Sequence, residues 1–206
     1  MLGLEPGERE ACELLLDLAE NSHELGDDKA AVEWLRESWR VWDKYAGLEI
    51  NKGKTRDLAR TASIYFMSGK LLTRIGKTDE ARSAFEKSEA LYLKSIEGEP
   101  ERSNKQSLLR LYLTMGDFTA GLGGCSMANS PLDGLSSQGE YCPSDKKAIT
   151  VKDRAALTKA KKYYENALNI LTEMKATRTL EYRDTQNLSA ALERVTQMNE
   201  KLNGGS

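Results

Sequence analysis

One histidine, three cysteines and a few close-set pairs of like charge are the side chains with chemistry to offer in this chain of 206 residues. His23 and Cys12 stand eleven residues apart on one helical pattern. That spacing separates them by about 16 Å along a helix axis, too far for a nucleophile and its base. A zinc site needs several such ligands close together, and no cluster of that kind forms, so neither metal nor cofactor is expected. Carboxylates are plentiful, yet no Asp/Glu pair stands in an apolar setting that would raise a pKa for acid–base work. Lys146-Lys147 and the trio Lys159, Lys161 and Lys162 are interspersed with Asp and Glu, which marks solvated helix faces rather than a phosphate site. The chain is therefore not expected to be an enzyme. Cys125 and Cys142 bracket an irregular segment, where a disulfide or a redox-sensing pair is one reading. The odd cysteine count favours reduced thiols instead.

Binding chemistry is better represented. Lys70 and Arg74 lie one helical turn apart, and with Arg110 they suit a carboxylate such as a chain terminus. Glu13, Glu20, His23 and Glu24 form a mainly acidic row that suits a Lys or Arg on a partner. Phe66 and Leu113 offer apolar anchors, Thr73 a small polar contact, and Asp117 a further charge. These residues make one surface only if helices set them side by side.

The helices are written in a repeated phrase. Gly69, Gly76, Ala81 and Phe85 stand at offsets 0, 7, 12 and 16. Gly116 and Gly123 repeat its first half, and Ala160, Tyr164 and Ala167 its second half after an inserted segment. A weaker copy runs through Ala19, Gly26, Ala31 and Leu35. Each copy reads as two antiparallel helices with a glycine turn between them. Glycine within a helix costs about 1 kcal/mol relative to alanine, so Gly69 implies close approach of the partner helix, with Ala81 facing it. Three tryptophans on one helix side, Trp34, Trp39 and Trp42, read as filling the seam against the next pair. Either Asp27 or Asp28 caps the second helix, and Thr78 or Asp79 the fourth.

These signals predict an all-α fold, a solenoid of three antiparallel helix pairs plus a C-terminal capping helix. The pairs span about 8–48, 54–97 and 103–174, the last with an inserted loop over 124–151, and the capping helix covers about 182–202. Residues 1–203 read as a single domain and 204–206 as a tail. The insertion exceeds an ordinary connection and carries Leu132, Leu135, Tyr141 and Ile149 to pin it.

Gly-x6-Gly-x4-Ala-x3-aromatic resembles the tetratricopeptide signature, best in Tyr65, Gly69, Leu72, Gly76, Ala81 and Phe85. The spacing departs from the family, since Gly26 to Gly76 is 50 residues and Gly76 to Gly123 is 47, against about 34. This longer layout is similar to the helical repeats at the C-terminal end of some bacterial serine/threonine protein kinases of the eukaryotic type, without any kinase motif. The resemblance implies that extended or helical peptides bind on the inner, concave face lined by the first helix of each pair. It also implies the accessory region of a larger signalling protein.

Composition narrows the partner. The net charge of −2 carries no nucleic-acid footprint, and no apolar run approaches the ~20 residues of a membrane span. The acidic N-terminus lacks a signal peptide, so the cytoplasm is favoured, or an extracytoplasmic place if the chain belongs to a membrane-anchored parent. Residues 1–50 carry 13 Asp/Glu and 5 Lys/Arg, an acidic end able to steer a basic partner. The primary reading is a non-enzymatic protein- or peptide-binding scaffold. Self-association, with the acidic end meeting the more basic remainder of a second copy, is the alternative.

Overall fold

The computed structural model describes residues 6–51, 58–98, 101–122, 153–180 and 182–204. Among them are seven α-helices: α1 (Pro6–Glu24), α2 (Asp28–Asn51), α3 (Leu58–Ile75), α4 (Thr78–Gly98), α5 (Arg102–Thr119), α6 (Arg154–Ala176) and α7 (Tyr182–Asn203). The fold is all-α and built of tetratricopeptide-like helix pairs. Its contacts divide it into two compact units, residues 1–104 and 105–206. Cys125, Cys142 and the insertion lie outside the described residues, as do Gly123 and the pinning residues named above.

One hydrogen-bond pattern ends four of the helices. After α1, the Gly26 N–H donates to the His23 carbonyl and the Asp27 N–H to that of Ser22. After α3, Gly76 and Lys77 bond in the same way to Thr73 and Leu72; after α5, Gly121 and Leu122 bond to Phe118 and Asp117. The double bond satisfies carbonyls that the helix leaves unpaired, and it requires a left-handed residue. Gly26, Gly76 and Gly121 supply it with φ of 83°, 83° and 74°. The turn glycine of the third pair is thus Gly121, five residues after Gly116 rather than seven. After α6 the same pattern is made with Arg178 at φ 58°, where a side chain adds strain that glycine avoids.

In the first unit, α1 pairs with α2 and α3 with α4, and α3 also packs on α1 and α2. Asp27 caps α2, its Oδ1 accepting from the Ala30 N–H at 3.0 Å. Lys77 holds the equivalent place before α4, its carbonyl accepting from the Ala81 N–H. Thr78 and Asp79 therefore fall inside the first turn, where Asp79 suits the positive end of the helix. The core holds Leu16, Ala19, Leu35, Trp42, Tyr65 and Phe85, with their neighbours at helical spacing.

The need for Gly69 lies in α4, and the residue that needs it is Phe85, not Ala81. A Cβ on Gly69 would stand 2.5 Å from a Phe85 ring carbon, inside any permitted contact, so the ring seats on bare backbone. In the second unit a Cβ on Gly116 would meet the Tyr164 ring at the same 2.5 Å. The repeated phrase therefore encodes a ring-on-glycine seat, once with Phe and once with Tyr. Of the tryptophans, Trp42 is buried and Trp39 half-buried; Trp34 instead faces out.

In the second unit α7 packs on α6. The Asp153 carboxylate accepts from the Ala155 N–H at 2.9 Å and caps α6. Lys105 on α5 pairs with Glu173 on α6.

Candidate functional site

The inner positions repeat on α1 and α3 in the same register. The residue three before the small residue is buried, Leu16 on α1 and Phe66 on α3. The residue one after it is half-buried, Glu20 and Lys70; that four after is also half-buried, His23 and Thr73; that five after is exposed, Glu24 and Arg74. Each helix thus offers an apolar floor, a half-sunk polar step and a charged rim.

The two helices share their charges. Burial pushes the Glu20 carboxyl above its ordinary range because a carboxylate loses hydration there. Arg74 and Lys70 on α3 pull it back, while Asp17 and Glu24 on α1 push it further. The acidic row and the basic pair are therefore in electrostatic reach of each other. Lys70 Nζ lies 5.7 Å from the centroid of the Phe66 ring, within range of a cation–π attraction. Phe66 in turn packs against Phe85 at 6.2 Å between centroids.

Two of the expected contacts are partly committed inside the fold. The Thr73 hydroxyl donates to the Gly69 carbonyl at 2.8 Å. His23 Nδ1 and Asp28 Oδ1 lie 2.6 Å apart across the α1–α2 turn. Glu13 lies on α1, but its side chain is outside the described residues.

The second unit closes the same register. Asp117, one after Gly116, is fully buried, so it does not stand on an open face as its spacing suggests. The Tyr164 hydroxyl donates to Asp117 Oδ1 at 2.7 Å, and Arg194 Nε of α7 lies 3.6 Å from the same oxygen. A buried carboxylate needs such partners, and α7 brings the cation. Burial first, then the Asp117 charge, drive the Tyr164 pKa far above the phenol range, with Arg194 opposing. Leu113 and Ala120, at neighbouring inner positions, are buried too, and Arg110 is half-buried.

A second polar cluster in the first unit has no counterpart in the sequence reasoning. The Tyr65 hydroxyl donates to Asp43 Oδ1, and Lys87 Nζ reaches Asp43 Oδ2 at 3.0 Å. The same ammonium stands 4.9 Å from the Tyr65 ring centroid and 5.9 Å from that of Trp39. Trp39 Nε1 donates to the buried Ser68 Oγ at 3.0 Å. Burial and the Asp43 hydrogen bond raise the Tyr65 pKa beyond the phenol range. The cluster ties α2, α3 and α4 together and satisfies every polar group that it names. Its signal was available in the spacing of Trp39 and Asp43, one turn apart on α2.

Among the described residues, no three His, Cys, Asp or Glu side chains gather as a metal site, and no helix is long and apolar enough to cross a membrane. No curated protein matches the chain. Residues 62–95, which contain the Gly69, Gly76, Ala81 and Phe85 phrase, match the tetratricopeptide repeat family, whose repeats generally mediate protein–protein interaction and are not catalytic.

Proposed function

We propose that the chain is a non-enzymatic scaffold that binds a peptide segment of a partner protein along the shared face of α1 and α3. The observation that carries this reading is the juxtaposition of Glu20 with Lys70 and Arg74 beside the Phe66 ring. Such a face offers a cation pair for a carboxylate and an acidic row for a Lys or Arg. Glu20 and Lys70 are half-buried within it, while Glu24 and Arg74 stand exposed at its rim. Charge pairs of this kind set orientation and on-rate more than raw affinity. The apolar contribution comes from the carbon stems of Lys70 and Arg74 over the buried floor.

The reading is confined to the first unit. Arg110 belongs to the second, and Asp117 is withdrawn from the binding set by its burial. The long-period layout further supports a place as an accessory region of a larger signalling protein, of the kind its resemblance to bacterial kinase repeats implies.

The test begins with affinity capture on the wild-type chain, followed by titration of the captured segment as a synthetic peptide. Lys70→Glu/Arg74→Glu is expected to weaken that peptide at least about tenfold, the scale of one lost charge-assisted contact. Binding unchanged in the double variant, with the helical signal intact, rejects this face.

A further inference from the structure

Among the described residues of the first unit, the three most exposed large apolar side chains follow one another along α1 and its end, on the side away from the core, while Leu93 on α4 stands alone. Leu14 is 59% exposed, Leu18 43% and Leu25 87%. Their spacing of four and seven residues sets them along one strip of helix surface. Leu25 stands just beyond α1 but stays in register, because its N–H still donates to the Asn21 carbonyl at 3.0 Å. Leu16 and Ala19, on the opposite side of α1, are buried. Asn21 is the polar member of the strip, and exposed Asp17 and Glu24 border it. Trp34 on α2 is a further exposed ring of the same pair.

Isolated exposed leucines are ordinary, whereas a row of them along one helix is the pattern that a partner helix covers. Charge decides which helix. The α1 segment, Pro6–Glu24, contains six Asp/Glu and one Arg. Two copies meeting through this strip would bring two strongly acidic helices together, which opposes a symmetric dimer. A helix with leucines on one side and Lys or Arg flanking them matches both the apolar strip and its acidic border.

We propose that the outer face of α1 is a second docking surface, which takes a basic amphipathic helix of a partner protein. It lies on the side of α1 opposite its core face, its leucines take no part in the peptide face proposed above, and only Glu24, at the rim between the two, borders both.

The probe is a dye-labelled synthetic helix with leucines at heptad a and d positions and lysines elsewhere, titrated by fluorescence anisotropy against the full chain. The patterned helix is expected to bind more tightly than a peptide of identical composition with its leucines scattered. Leu14→Ser/Leu18→Ser is expected to weaken it at least about tenfold, since each leucine returns its apolar surface to water. Leu192→Ser, which removes an equally exposed leucine from α7, is expected to leave binding as it is. Asp17→Lys/Asn21→Lys, which leaves the peptide face untouched, is expected to weaken it as well, and to flatten its salt dependence. These charge changes test the border if the serine variants lose their helical signal. Equal binding of the scattered peptide, or undiminished binding by both double variants, overturns the proposal. So does a dimer of this chain that Leu14→Ser/Leu18→Ser dissolves, because the strip would then serve a second copy.

Discussion

Phe85 on Gly69 and Tyr164 on Gly116 are the same seat built twice, and they differ by one hydroxyl. In the first unit the seat is purely apolar, and the residue beside its glycine, Lys70, remains half-exposed on a ring. In the second unit the extra hydroxyl points at the residue beside the glycine, Asp117, and Arg194 from α7 completes a buried network. One register position is thus a binding step where the neighbouring helix leaves it open, and an internal anchor where a further helix covers it. What a repeat position does depends on what packs over it, and the repeat phrase alone does not say.

Removing each charge separates the two roles, and this is the largest expected effect. Asp117→Ala leaves the Arg194 guanidinium and the Tyr164 hydroxyl without their common acceptor. Loss of one partner from a buried pair costs about 3–5 kcal/mol. Lys70→Ala removes a partly solvated cation from a ring and should cost less than about 1 kcal/mol. Urea unfolding of the two variants measures the gap directly. Equal costs would mean that Asp117 is not the anchor of the second unit.

The glycines themselves provide a finer comparison. Gly69→Ala and Gly116→Ala each gain about 1 kcal/mol of helix propensity but force a methyl into a ring. Overpacking of a dense core costs about 1–3 kcal/mol, and at 2.5 Å the upper end applies, so a net loss of about 1–2 kcal/mol is expected. Gly116→Ala should be the worse of the two, because the hydrogen bond to Asp117 holds the Tyr164 ring in place while Phe85 has no hydroxyl to anchor it. Tyr164→Phe should bring Gly116→Ala towards the Gly69→Ala value. A double-mutant cycle between positions 116 and 164 measures that coupling.

The helix pairs were legible in the sequence because each rests on local requirements. Gly26 and Gly76 satisfy a left-handed turn that few other residues accept, and Gly69 is conspicuous inside a helix. Those demands act over a few residues and leave a fixed spacing. The third turn misled because Gly123 keeps the spacing while Gly121 makes the turn; several glycines in succession blur the register. Asp117 could not be read correctly from spacing, since its burial depends on Arg194, 77 positions later. The Tyr65–Asp43–Lys87 cluster left only the Trp39–Asp43 spacing on α2 as a trace, because its other members come from α3 and α4. The Leu14–Leu18–Leu25 strip did leave a trace. Three successive leucines, Leu14 to Leu16, wrap more of α1 than a single core face requires.

The helix ends allow a comparison in the stabilising direction. Three of the four shared terminal patterns use glycine, while α6 uses Arg178 at φ 58°. A left-handed backbone costs a side-chain-bearing residue roughly 1–2 kcal/mol, and glycine's greater freedom when unfolded returns part of that. Arg178→Gly should therefore stabilise the second unit by up to about 1 kcal/mol, and Gly76→Ala should destabilise the first by a similar amount. A lower midpoint for Arg178→Gly would show that the arginine side chain makes a contact worth more than the strain.

The smallest effect concerns Glu20, and its sign follows from its surroundings. Burial is the main cause of its raised pKa, with Arg74 and Lys70 holding it back. The folded chain therefore binds the Glu20 proton more tightly than the unfolded chain does. Stability from this group is fully present below the unfolded value near 4.5, and it is lost as pH rises through the folded value. Glu20→Gln should remove that decline, so the stabilities of wild type and variant should converge at the acid end and separate towards neutrality, with the variant higher. Lys70→Met in the wild-type background should widen the separation, because the carboxylate then loses one of the two cations that oppose its burial. The corresponding comparison in the second unit, Asp117→Asn, should run the other way. There the fully buried carboxylate accepts from the Tyr164 hydroxyl and lies 3.6 Å from Arg194, so exchanging its charge for a neutral amide should lower stability. If Glu20→Gln instead falls below wild type at neutral pH, the attraction of Arg74 and Lys70 outweighs the burial of the carboxylate. The two units would then treat this position alike.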